Sequence, residues 1–148
     1  MNRLDGLFVR SLVAWYGLFQ LVHMAVNMRG LLQLVGGSLD FPAMPPPGGW
    51  TPQSIPFLTA IAALDLVNAI LTLVFVYGYF RRAHWRFWLG TLTLTVSMYA
   101  ALVFDYATLA VGAWTPANLS GYLFVNGTFV PVILLFLLFC IWGARVQI

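Results

Sequence analysis

The chain has 148 residues, 61% of them hydrophobic and only 7% charged, whereas soluble domains carry about 25% charged residues, so it has too few charges to cover a water-exposed surface. Its seven Arg and four Asp, without Lys or Glu, form no clustered basic stripe of the kind nucleic acid requires, and no nucleic-acid partner is expected. The lone cysteine, Cys140, excludes intrachain disulfides and cysteine-rich metal sites. Within its apolar run it reads as a buried, inert thiol.

About twenty apolar residues span a bilayer, and four such stretches follow one another. The first covers about 7–35; it has no short apolar core with a small-residue cleavage site, so it reads as a helix and not as a cleaved signal. Residues 36–56 contain six Pro and four Gly, a composition that reads as a long extramembrane loop. The second stretch covers 57–80 and leads into a tight basic turn, RRAHWR over 81–86. The third covers 87–113, and Thr115-Pro116 reads as a stop and restart. The fourth covers 119–143, with Pro131 placed to kink it and open space beside Asn126. The expected fold is all-α: one domain over 1–148, a bundle of four transmembrane helices in an integral, multi-pass membrane protein.

With four spans, the termini and the second loop share one side. Arg3, Arg10, Arg81, Arg82, Arg86 and Arg145 all fall there and only Arg29 does not, so the positive-inside pattern puts both termini in the cytoplasm and the Pro/Gly-rich loop outside. The six tryptophans stand mostly near predicted helix ends, as interfacial anchors do.

Polar side chains at membrane depth are costly and normally face a partner, a cavity or a pathway. At about 1.5 Å per residue, His23 lies about 24 Å along the first helix, with Asn27 one turn later on the same face. Asp65 lies about 12 Å into the second helix from the outer side, with Asn68 one turn deeper, and Asn126 about 10 Å into the fourth. Tyr99, Asp105 and Tyr106 fall in the outer half of the third. All four helices thus bring polar groups to one depth band, which predicts a polar pocket there with aromatic and aliphatic walls. Asp65 is too deep to snorkel and must be neutral or paired with a cation such as His23 or Arg29. For His23 and Asn27 the plainer role is hydrogen bonding between helices. Asp105 reads as interfacial and solvated. Thr91, Thr93, Thr95 and Ser97 read as small-residue packing positions. The two histidines lie toward opposite sides of the membrane, so no metal site is expected.

Three segments resemble the EXPERA family, which includes the emopamil-binding sterol isomerase and the sigma-two receptor. HMAVN over 23–27 is similar to the isomerase's His-x-x-x-Glu, with Asn27 in place of Glu. The run 79–87, continuing to Tyr99, resembles the family's basic turn and third helix, and FVN over 124–126 its last-helix Phe-Met-Asn, in which the asparagine contacts ligand. Asp65 matches the second-helix acid of the sigma-two receptor by its spacing to Arg82. Phe129 stands where the family has a Trp, and could still stack on a cation or polyene. The resemblance implies a four-helix fold and an intramembrane site for a sterol-like molecule. With Asn27 removing one acid, it leaves acid–base chemistry to Asp65 and His23. A second resemblance is to DoxX-type four-helix proteins, which share an early Arg, an acid in helix two and a basic turn after it. That likeness implies a respiratory or redox accessory subunit.

These readings converge on binding of a sterol- or terpenoid-like small molecule inside the membrane, with a cofactor-independent isomerase or proton-initiated cyclase as its enzymatic form. Asp65 and His23 are the candidate catalytic pair, and Asn27, Asn68, Tyr99, Asn126 and Phe129 the candidate ligand contacts. The alternative is a small structural subunit of a larger respiratory or photosynthetic membrane complex. A homodimer is compatible with either.

Overall fold

In an apolar solvent every backbone N–H and C=O must find its partner within the chain, and a continuous helix does this for a single segment. The computed structural model, which describes residues 6–35 and 44–146 and side chains over 6–33 and 44–142, has four such helices: α1 (Leu7–Val35), α2 (Ser54–Phe80), α3 (Arg86–Ala110) and α4 (Leu119–Val146). Each is long and apolar enough to cross a membrane. Of the expected loop, 36–43 lies outside the described residues, as do Arg3 and the side chain of Arg145.

The helix ends have local causes. α2 begins three residues ahead of the expected start, because Pro56 sits in its first turn, where a missing N–H costs no intrahelical bond. α3 stops three residues short of the expected end. Gly112, at φ 72°, turns the chain left-handed, with Gly112 N–H donating to Leu109 C=O (3.0 Å) and Ala113 N–H to Thr108 C=O (2.9 Å). That pair of bonds closes a Schellman cap. The same cap ends α2, where Arg82 occupies the left-handed position at φ 55°.

The helices run alternately up and down in a ring. α1 and α3 each pack against both α2 and α4, and the backbones of the diagonal pairs stay apart. The usual distribution of polarity is inverted. Gln20, Asn27, Asn68, Thr72 and Ser97 are buried, while Phe8, Val67, Trp88, Leu102 and Phe124 are between 57% and 72% exposed. A bundle in water would hide the second group, whereas one in hydrocarbon gains nothing by doing so. Cys140 corrects one expectation: it lies on the exposed, apolar side of α4 and is not buried.

Two apolar clusters close the ends of the bundle. Toward the basic turn, Phe75 packs edge-on against Phe139 (5.7 Å between ring centres) and Tyr79 (6.1 Å), and Phe87 stacks on Phe139 (5.6 Å). Toward the opposite end, Trp50, Leu58, Ala113 and Tyr122 form a smaller cluster with Met44 against it. There Tyr122 Oη donates to Met44 C=O (2.8 Å) and Asn118 Nδ2 to Pro45 C=O (2.9 Å), which pins the segment entering α2 over the α3–α4 turn. Trp15, expected as an interfacial anchor, instead donates from Nε1 to Thr128 C=O (3.0 Å) across the α1–α4 seam.

Gly90 tests this packing. A methyl group there would collide with the rings of Phe75 and Phe139, whereas one at Gly127 would meet open space. Gly90→Ala should therefore destabilise the bundle by about 1–3 kcal/mol through overpacking. Gly127→Ala should be neutral or stabilise by up to about 1 kcal/mol through helix propensity. Thermal midpoints in detergent micelles check both.

Candidate functional site

Polar residues on each helix recur at the spacing that places them on one face. On α1 these are Tyr16, Gln20, His23 and Asn27, spaced four, three and four residues apart; on α2 they are Asp65, Asn68 and Thr72. Both stripes turn inward, and at the centre they meet Ser97 of α3. Gln20 Nε2 and Asn68 Nδ2 each donate to Ser97 Oγ at 2.9 Å, and Tyr16 Oη lies 2.8 Å from the same atom. Two amide donors fill the lone pairs of a hydroxyl, so its proton goes to Tyr16. Thr72 Oγ1 also donates to Tyr16 Oη at 3.1 Å, and Asn68 Nδ2 reaches Thr93 C=O at 3.3 Å. One hydroxyl thereby joins α1, α2 and α3, including the diagonal that does not pack directly.

Above this junction, toward Met44, the bundle opens into a cavity of about 170 Å³. α1 contributes Phe19, Gln20, His23, Val26 and Asn27; α2 Leu58, Ile61, Ala62 and Asp65; α3 Ser97, Ala100, Ala101, Phe104 and Asp105; α4 Tyr122, Val125, Asn126 and Phe129. Met44 forms part of the roof. The floor is closed by the junction and by the aromatic cluster below it. The cavity is therefore a blind pocket in one half of the bundle.

Within it, the His23 ring stands edge-on to Phe19 (4.2 Å between ring centres), and Phe19 in turn packs against Phe129 (5.4 Å). The Asn27 amide neighbours the Asp65 carboxyl, yet its buried nitrogen completes no hydrogen bond with the protein. Asn126 Nδ2 donates to Asp105 Oδ1 (3.2 Å) and to Tyr122 C=O (3.1 Å). Among the described residues neither aspartate has a cationic partner, and no hydrogen bond joins His23 to Asp65. The pocket thus offers two carboxyl groups, one imidazole and an unpaired amide donor along apolar and aromatic walls.

His23, Asn27, Asp65, Asn126 and Phe129 all border this cavity, and two other expected site residues do not. Asn68 lies in the hydrogen-bonded floor, with its Oδ1 unpaired. Tyr99 is 63% exposed and borders a separate groove on the outer face. Asp105 is half-buried and lines the cavity, where a solvated position was expected. Ser97 corrects the packing-only expectation, since it carries the junction, and Gln20 and Tyr16 were not anticipated. The signal for both was present, because they extend the His23–Asn27 face by the same helical spacing. No group of three or more His, Cys, Asp or Glu side chains among the described residues is arranged to hold a metal ion. Comparisons with protein-family models, curated proteins and solved structures find no match.

Ser97→Ala removes the shared acceptor of two buried amides and should cost about 1–3 kcal/mol. Thr95→Ala should change stability by less than about 0.5 kcal/mol, because Thr95 is exposed and bonds only to Thr91 C=O of its own helix. Equilibrium unfolding of the two variants in mixed micelles measures the contrast.

Proposed function

We propose that this chain is an integral, multi-pass membrane protein that binds a lipid-like small molecule of the sterol or terpenoid class in its internal cavity. The observation that carries this reading is the union, in one blind pocket, of aromatic and aliphatic walls with a polar face made by Gln20, His23, Asn27 and Asp65. Apolar walls with a few convergent polar groups suit an amphiphile whose ring system fills the cavity and whose polar end meets that face. Asn27 adds to that polar face: its amide lies beside the Asp65 carboxyl and completes no well-formed hydrogen bond with the protein, so an oxygen on the ligand would give it a further acceptor.

In its enzymatic form, the protein would use Asp65 as the proton donor or base and His23 as the group that accepts or returns the proton. The two are not bonded to each other, so a substrate lying between them would exchange protons with both, as an isomerase or a proton-initiated cyclase requires. Asn27 and Asn126 would orient the polar end. Asn68 would act from beneath, by holding Ser97 and the pocket floor.

The arginines support an orientation with both termini in the cytoplasm and the Pro/Gly-rich loop outside. Arg10, Arg81 and Arg82 are exposed at one end, and Arg29 lies toward the other. Single cysteines in a Cys140→Ser background, at exposed Pro47 and exposed His84, test this. An impermeant thiol reagent added to whole cells should label position 47 and not 84, and the reverse pattern would overturn the orientation.

Protein purified in mild detergent should release an isoprenoid-derived lipid on denaturation, enriched over the bulk membrane extract and identified by mass spectrometry. Ala101→Phe fills the cavity and should cut that occupancy about tenfold, equivalent to about 1.4 kcal/mol. Asp65→Asn should keep the lipid and abolish any turnover of it. Migration within a large complex with no enriched lipid would instead favour the structural-subunit reading.

A further inference from the structure

On the outer face of the bundle, between the start of α2 and the end of α3, lies a second recess of about 800 Å³. Most of its wall is apolar surface, with two exposed tyrosines, Tyr99 and Tyr106, on one side and the polar residues Thr51, Gln53 and Ser54 at its outer rim. The recess runs from the helix ends at Ser54 and Ala110 down to Tyr99, on the side of the bundle away from the internal cavity. Leu58 borders both this recess and the internal cavity, and it is 3% exposed. On α3, Phe104 lines the cavity while its neighbour Val103 lines the recess. The partition between the two spaces is therefore one side chain thick.

We infer that the α2–α3 recess is a second subsite, a vestibule in which an apolar molecule dissolved in the membrane is held before it passes Leu58 into the internal cavity. This rests on reading that cavity as a ligand site, and it adds the direction of entry. The bonding pattern permits this wall as it does the α1–α4 seam, where exposed Val26 and Val125 also border the cavity; what distinguishes the α2–α3 side is the adjoining recess. In this half of the bundle the side-chain hydrogen bonds between α2 and α3 come from Asn68, to Ser97 and to Thr93 C=O, about 15 Å along the helix from Leu58. The seam beside Leu58 is held by apolar contacts alone, so parting it in hydrocarbon breaks no hydrogen bond. The Met44 roof is tied down by Tyr122 and Asn118, and the basic end is filled by the rings around Phe75. Leu58 can leave the gap by a rotamer change, a motion within reach of thermal fluctuation.

Thiol reactivity tests the route without any knowledge of the natural ligand. In a Cys140→Ser background reconstituted in liposomes, Ala101→Cys puts the probe inside the cavity and Val103→Cys puts a control in the recess. The reagents are lipid-soluble N-phenylmaleimide and a charged, water-soluble methanethiosulfonate. The apolar reagent should modify position 101 and the charged one should not. Leu58→Ala should speed that reaction and Leu58→Trp should slow it, each by about tenfold as expected for a gate, with position 103 unaffected. Leu58→Phe replaces the Trp variant if that one does not fold. Equal rates across the Leu58 series, faster entry of the charged reagent, or no reaction at position 101 with either reagent would each overturn the route. An empty cavity in the lipid extract, with gating by Leu58 intact, would overturn the ligand reading and leave the passage standing.

Discussion

The bundle is organised around one hydroxyl group. Ser97 Oγ accepts from Gln20 and Asn68 and pairs with Tyr16, joining three helices through buried side chains. Helices in hydrocarbon have little apolar driving force to associate, so packing and interhelical hydrogen bonds must hold them in register. Moving α1 by one turn relative to α3 would strand the Gln20 amide and the Tyr16 phenol. The junction thereby fixes the relative height of the side chains above it, including His23, Asn27 and Asp65, which carry the proposed chemistry.

That constraint divides the molecule into unlike halves. Below Ser97 the interior is filled by interlocking rings around Phe75, and Gly90 lets α3 come close enough to complete the seal. Above it, small residues at Ala62, Ala100 and Ala101 leave room that no larger side chain takes. A blind pocket with a sealed floor suits binding or catalysis better than conduction, because nothing continues from the polar face toward the basic end. An acid in such a place also needs a task to justify its cost. Asp65 has no cationic partner among the described residues, and a carboxyl group that only glued helices together could be replaced by the cheaper asparagine used at position 68.

The number and placement of the helices were legible because hydrocarbon imposes a length and a composition on anything that crosses it. Their ends were less so, since Pro56 inside a first turn and Gly112 in a left-handed cap shift boundaries by residues that composition cannot weigh. The depth coincidence of His23, Asp65 and Asn126 came from counting residues along helices, and their convergence on one cavity is a matter of rotation that antiparallel neighbours had to supply. Tyr99 shows the limit of depth alone, for it lies at a suitable height and faces outward. Ser97 was passed over because a serine among threonines in an apolar helix has the signature of a packing residue. Only the amides of Gln20 and Asn68 on other helices give it a different role, and that information is tertiary.

The central claim is that the space between His23, Asp65 and Asn126 exists to hold a small amphiphile. A high-resolution map of the protein in lipid nanodiscs addresses it most directly. The account predicts an elongated non-protein density in that space, with its polar end against Asn27 and Asn126 and its body reaching Asp65 between Phe19, Phe104 and Phe129. A cavity collapsed onto its own side chains, or holding only a hydrogen-bonded chain of water, would contradict it.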